Sequence, residues 1–191
     1  MKTVKRIPII PTIVVLLAVG IMIRLGFWQL DRLHQKEKLL ARYTAAQAMS
    51  ADVAFPRSPA ESEPLLYRHT TIDCPKVAGV ESVAGRSAKD ETGIGHIATC
   101  TLADGTRARI VLGWSRNPEV PDWRGGTVMG IIAPGPRLVA DPPLAGLQTN
   151  ARPDPSDLPN NHLSYAVQWF LFAGVALVIY ALAVRKRLKE S

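Results

Sequence analysis

Two stretches of the chain are apolar on every side of a helix, and between them the pattern breaks into short segments. Residues 7–23, IPIIPTIVVLLAVGIMI, hold 17 positions without a charge. At about 1.5 Å per residue they cover roughly 25 Å, just short of a hydrocarbon core. Leu25, Phe27 and Leu30 extend the apolar surface past Arg24, whose long stem lets its charge snorkel outward. Residues 163–184 run for 22 positions without a charge, about 33 Å of helix and a full span. Transmembrane helices are therefore expected at 7–24 and 163–184. Pro8 and Pro11 fall near the first turn, where a helix tolerates proline best. Asn160 or Asn161 is placed to cap the second helix. A cleaved signal peptide is the rival for the first stretch. Arg24-Leu25-Gly26-Phe27-Trp28 follows it with no small-x-small site, so an uncleaved anchor is expected.

Residues 25–48 continue as a helix, with a partial apolar stripe at Leu30, Leu33 and Leu40. Residues 51–64 read as a linker with three prolines, completing a juxtamembrane region at 25–64. From residue 65 the signals are strand-like: 67–74, 96–102, 107–114 and 127–132 are rich in Thr, Ile and Val. Ala103-Asp104-Gly105-Thr106 is a hairpin signal of type I′. Residues 120–126, 133–143 and 144–159 read as turns or irregular chain. The expected fold class is a membrane protein, α+β, with two terminal transmembrane helices flanking a small, mainly antiparallel β domain at 65–162.

Charge sets the orientation. Net charge is +7, which alone suggests a nucleic-acid partner. The surplus, however, sits in the tails at 1–6 and 185–191, which hold seven basic residues and one acid, leaving 16 basic and 15 acidic residues between. Basic flanks of apolar spans face the cytoplasm. Both tails are therefore expected in the cytoplasm and the central domain outside it, which in a bacterium is the periplasm. No nucleic acid is expected as a partner; membrane lipid is.

An enzyme finds little support. There is no G-x-S-x-G, no phosphate-binding loop, no CxxC and no HxxxH pair, and Gly93-Ile94-Gly95 lacks the context of a dinucleotide fingerprint. Cys74 and Cys100, the only cysteines, fall in expected strands in a compartment that permits a disulfide; two buried free thiols fit the sequence equally. His162, Tyr165, Trp169 and Phe172 share one helical face at the start of the second span. A histidine above an aromatic strip suits ligation of a porphyrin iron, but an ordinary interfacial belt has the same pattern. Arg24, Trp28 and Arg32 form a cationic, aromatic face on the first helix, suited either to acidic ligand groups or to lipid headgroups.

Leu25-Gly26-Phe27-Trp28-Gln29-Leu30-Asp31-Arg32, with Lys36, resembles the LGxWQLxR…K signature of the surfeit locus protein 1 family. Asn161-His162-Leu163-Ser164-Tyr165-Ala166-Val167-Gln168-Trp169-Phe170 is similar to that family's NHLxYAxxWF motif. Tyr67-Arg68, Gly95, Ala103-Asp104-Gly105 and Gly113-Trp114 fall between them in the family's order. Leu112 stands where an Arg is common, Ser115-Arg116 where Val-Pro is, and Cys74 where a glycine is usual, so the chain resembles a divergent bacterial-type member.

The resemblance implies an assembly factor, not an enzyme, for a haem a-type cytochrome c oxidase, assisting haem a insertion into the catalytic subunit. It implies haem a as a transient cofactor, His162 as its iron ligand, Tyr165 and Trp169 as ring contacts, and Trp28 and Arg32 as contacts to the ring and propionates. Partners would be the oxidase catalytic subunit and other assembly factors, in the bacterial inner membrane. A haem-free scaffold that holds an oxidase subunit during assembly is the alternative.

Overall fold

The computed structural model describes residues 8–190. Lys2, Lys5 and Arg6 of the expected amino-terminal tail, and Ile7, lie outside the described residues. The chain divides into two compact units, one spanning Leu40–Leu158 and the other formed by the chain before and after it.

The first unit is helical. Helix α1 runs unbroken over Ile9–Gln47, 39 residues and about 58 Å, so it is far longer than a span. Its last turns, from Leu40 onward, belong to the other unit. At the other end of the chain a second long helix covers His162–Glu190, 29 residues. The Tyr165 N–H donates to the Asn161 carbonyl at 3.3 Å, so the first intrahelical bond closes on that residue. Large apolar side chains line both helices without cover: Ile10 is 77% exposed, Leu17 63% and Ile179 62%. Water does not tolerate so large a bare apolar surface, whereas lipid requires it. The protein is a membrane protein of the α+β class.

The second unit carries, after a one-turn helix α2 (Pro59–Ser62), six strands: β1 (His69–Cys74), β2 (Lys76–Arg86), β3 (Thr92–Thr101), β4 (Arg107–Ser115), β5 (Gly126–Ala133) and β6 (Arg137–Ala140). The long carboxy-terminal helix is α3. The sheet order is β1-β5-β6-β4-β3-β2, antiparallel except for the parallel pair β4–β6. The two outermost strands, β1 and β2, are separated by Pro75 alone. Two residues reach about 7 Å, whereas six flat strands spread over roughly 24 Å. The sheet must therefore curl until its edges meet at that end. A disulfide between Cys74 and Cys100, with Cα atoms 5.8 Å apart, ties β1 to β3 there. Along the free side of β1, the Val53 N–H donates to the His69 carbonyl at 2.9 Å, and the Thr70 hydroxyl to the Val53 carbonyl at 2.7 Å.

Side chains alternate between the two faces of the curled sheet. Ile72, Cys74, Cys100, Ile110, Leu112, Val128 and Leu138 form the main core. Ile97, Val111, Ala133 and Val139 form a smaller cluster on the opposite face.

Several sequence expectations change. β2 was not expected; it is an edge strand whose exposed positions and two glycines give no alternation. β6 replaces part of the turn expected over 133–143, because Leu138, Val139 and Ala140, buried on both faces after an exposed Arg137, carry no period. The expected strand 67–74 starts later, at His69: Tyr67 has φ +66°, outside the extended region, although its N–H still donates to the Ile132 carbonyl of β5 at 2.8 Å. The hairpin after β3 is not type I′. Neither Ala103 nor Asp104 has positive φ, Gly105 does (+84°), and Leu102 pairs with Thr106, which is a three-residue loop ending in a left-handed glycine.

Candidate functional site

Within the helical unit, α1 and α3 pack antiparallel, with Thr12 against Tyr180, Gly26 against Phe170 and Gln29 against His162. Residues 12, 19 and 26 on α1, and 166, 173 and 180 on α3, recur every seven positions, the spacing of a shallow left-handed crossing. Val19, Ala166 and Ala173 are buried along this seam. Gly26 makes room for the Phe170 ring: a Cβ there would stand 2.6 Å from Cε1 and 2.7 Å from Cζ of Phe170. The Phe170 ring meets Phe27 edge-on at 5.3 Å. The Thr12 hydroxyl donates to the Pro8 carbonyl at 2.7 Å, so its hydrogen bond with Tyr180 uses the phenol proton.

Where the seam ends, Nδ1 of His162 lies 2.7 Å from Oε1 of Gln29. An amide oxygen only accepts, so with this amide orientation Nδ1 carries the proton and Nε2 keeps its lone pair. That is the tautomer a metal-binding histidine needs, with the second nitrogen held by an outer partner. Gln29 is the residue that sequence reasoning passed over. It lies inside the quoted motif at 25–32, but only the helix pairing shows that it meets His162.

The other expected site residues fall into separate groups. Tyr165 is half exposed, one turn beyond His162. Trp169 packs edge-on to Phe172 at 6.4 Å. On α1, the Arg32 guanidinium lies 5.5 Å over the Trp28 ring and donates to Gln35 Oε1 at 3.0 Å. The groove of about 710 Å³ beside Trp28 is lined by α1 residues, among them Arg24, Phe27, Asp31 and His34. His162, Tyr165 and Trp169 are not part of that lining. The structure thus joins His162 to α1 through Gln29, and not through Trp28 or Arg32. Among the described residues no three His, Cys, Asp or Glu side chains gather into a metal cage. Cys74 and Cys100 belong to the other unit, buried and bridged.

Compared with known proteins, the SURF1 family model matches residues 16–174, a stretch that opens inside α1 and closes inside α3. The match therefore includes Gln29, His162, Tyr165 and Trp169. No curated protein and no solved structure matches the chain.

Proposed function

The chain belongs to the SURF1 family, and from that premise we propose that it assists haem a insertion into the catalytic subunit of a haem a-type cytochrome c oxidase. The family is associated with cytochrome c oxidase assembly and is a family of assembly factors rather than of catalysts. Its role implies association with the oxidase assembly machinery. The finer reading, that His162 transiently holds the haem, is supported by one observation above the rest: the Gln29–His162 hydrogen bond. It leaves Nε2 as the free donor atom at the end of an apolar helix pair.

The surrounding residues fit the group. Haem is an apolar disc with two acidic edges. Tyr165 and Trp169 offer ring surface on the side chains that follow His162; Arg32, held against Trp28 in a separate group on α1, would have to reach the propionates from there. When bound, haem would supply an iron that accepts the Nε2 lone pair. The protein's own part is to orient that nitrogen, cover the ring and exclude water. A single ligand from one side chain favours release as well as capture, which a carrier requires.

The basic cluster at Arg187 and Lys189 in the last turn of α3 supports a cytoplasmic carboxy terminus, and with it a periplasmic β unit in the bacterial inner membrane. The test is a strain lacking the protein. Haem a per oxidase catalytic subunit should fall while subunit abundance is largely kept. Joint loss of subunit and haem, with the ratio unchanged, would overturn insertion in favour of the scaffold role.

A further inference from the structure

The β unit holds a second site that the haem reading does not use. A cavity of about 370 Å³ opens on the face of the sheet carrying Ile97, Val111 and Val139. Its floor is apolar, and Gly85 and Gly95 are part of its lining. Tyr67 and Gly95, two positions that the resemblance to the family singles out, both line it.

Four features distinguish it from a packing fault. Asn150 Oδ1 lines the cavity, is buried and has no hydrogen-bond partner among the described residues, leaving an acceptor that folded proteins satisfy with water or a ligand. Tyr67 is 1% exposed and held at φ +66°, a conformation that costs free energy and persists only where surroundings impose it. Its hydroxyl makes no hydrogen bond among the described residues. Arg137 lines the same cavity with no ion pair or hydrogen bond among the described residues, whereas Arg86 pairs with Asp90 and Arg152 with Asp141. On the rim, Asp154 accepts the Ser156 N–H at 2.7 Å, and the Asp157 carboxylate has no ion pair among the described residues.

These groups define their complement. The unpaired amide oxygen calls for an N–H donor, Arg137 for a carboxylate, and the floor of Ile97, Val111 and Val139 for an aliphatic side chain. Asp154 and Asp157 disfavour a second acid and favour a base. An amide N–H, an aliphatic side chain and a carboxylate in that proximity make up the last residue of a peptide. The volume is at the low end for ligand sites, right for a chain end and too small for a folded surface.

We propose that this cavity captures the carboxy-terminal tail of a partner protein, ending in an apolar residue preceded by a basic one. Arg137 binds the terminal carboxylate, and Asn150 with Tyr67 binds the last amide. The interaction gives the β unit a recognition role of its own, and neither it nor the haem reading depends on the other.

The test uses the full chain in lipid nanodiscs and isothermal calorimetry. The probes are N-acetyl-Lys-Leu, its carboxamide, and a carrier protein ending in Lys-Leu. The carboxylate dipeptide and the carrier should both bind saturably, with the carboxamide weaker by roughly tenfold or more. Arg137→Gln should weaken both to the same extent, without shifting the melting temperature, since Arg137 has no ion pair or hydrogen bond among the described residues. Asn150→Ala should weaken them several-fold. No saturable binding up to about 5 mM would overturn the proposal, as would equal affinity for carboxylate and carboxamide or indifference to Arg137→Gln. Binding of the free dipeptide without the carrier would overturn the assignment to a protein tail.

Discussion

Gly26→Val tests whether the helix pair depends on one missing side chain. The new Cβ would lie 2.6 to 3.0 Å from three carbons of the Phe170 ring, about 1 Å inside the ~3.5–4.0 Å of comfortable carbon contact. The ring has no free retreat, because its edge contact with Phe27 at 5.3 Å is lost when it moves. Overpacking of this kind costs about 1–3 kcal/mol, and an aromatic pair contributes about 0.5–1.5 kcal/mol. Helix propensity runs the other way, favouring Val over Gly by a few tenths of a kcal/mol. The net weakening is about 2.5 kcal/mol, between tenfold and a hundredfold in the pairing equilibrium. The described chain has no free cysteine, so Gln29→Cys with His162→Cys creates a unique thiol pair for a short bismaleimide. Bridging is then followed through an SDS titration. Gly26→Val should lower the midpoint by that amount, and adding Phe170→Ala should recover at least half of the loss. An unchanged midpoint, or a loss that Phe170→Ala leaves intact, would refute the packing of Phe170 against Gly26.

Three further outcomes follow from particular contacts. Gln29→Leu removes the acceptor for the His162 Nδ1 proton, and haem affinity should fall by roughly 10- to 100-fold in a spectroscopic titration; equal affinity would show that Gln29 does not position the ligand. Replacing Cys74 and Cys100 together by Ala opens a loop closed over a separation of 26 residues, worth about 3.5 kcal/mol by chain entropy. Calorimetry should show the β-unit transition roughly 10–20 °C lower, and a shift under about 3 °C would contradict this. Burial raises the pKa of the Tyr67 phenol, with Tyr43, Asp157 and Asp154 adding to it. A raised folded pKa means that this stability is complete below the unfolded value near pH 10 and is lost as pH rises through the folded value. Melting temperature should therefore fall above about pH 10, and Tyr67→Phe should flatten that decline; an identical alkaline slope in the variant would sink the assignment.

Much of this architecture was legible because lipid imposes the simplest of patterns. An uninterrupted apolar stretch of 22 residues has one stable home, and the structure places α3 over it. β3, β4 and β5 showed through their Thr, Ile and Val. β2 and β6 did not, for opposite reasons: one faces solvent too much to alternate, the other is buried on both faces. Closure of the sheet through Pro75 depends on pairings between strands far apart in sequence, which no local pattern reveals. The site was legible in part. His162 and its aromatic neighbours share a helical face that spacing exposes, but Gln29 acquires its meaning only from a residue 133 positions away. Small residues such as Gly26 and Ala166 likewise look featureless until a second helix lies against them.

The proposed role of the α1–α3 pair is to present His162 as an iron ligand. Its most direct measurement is the absorption spectrum of the full-length protein purified from cells that make haem a, compared with His162→Ala. The native protein should show a haem band that is lost or strongly reduced in the variant. A native protein without the band, or a variant with the same band as the native protein, would contradict that role.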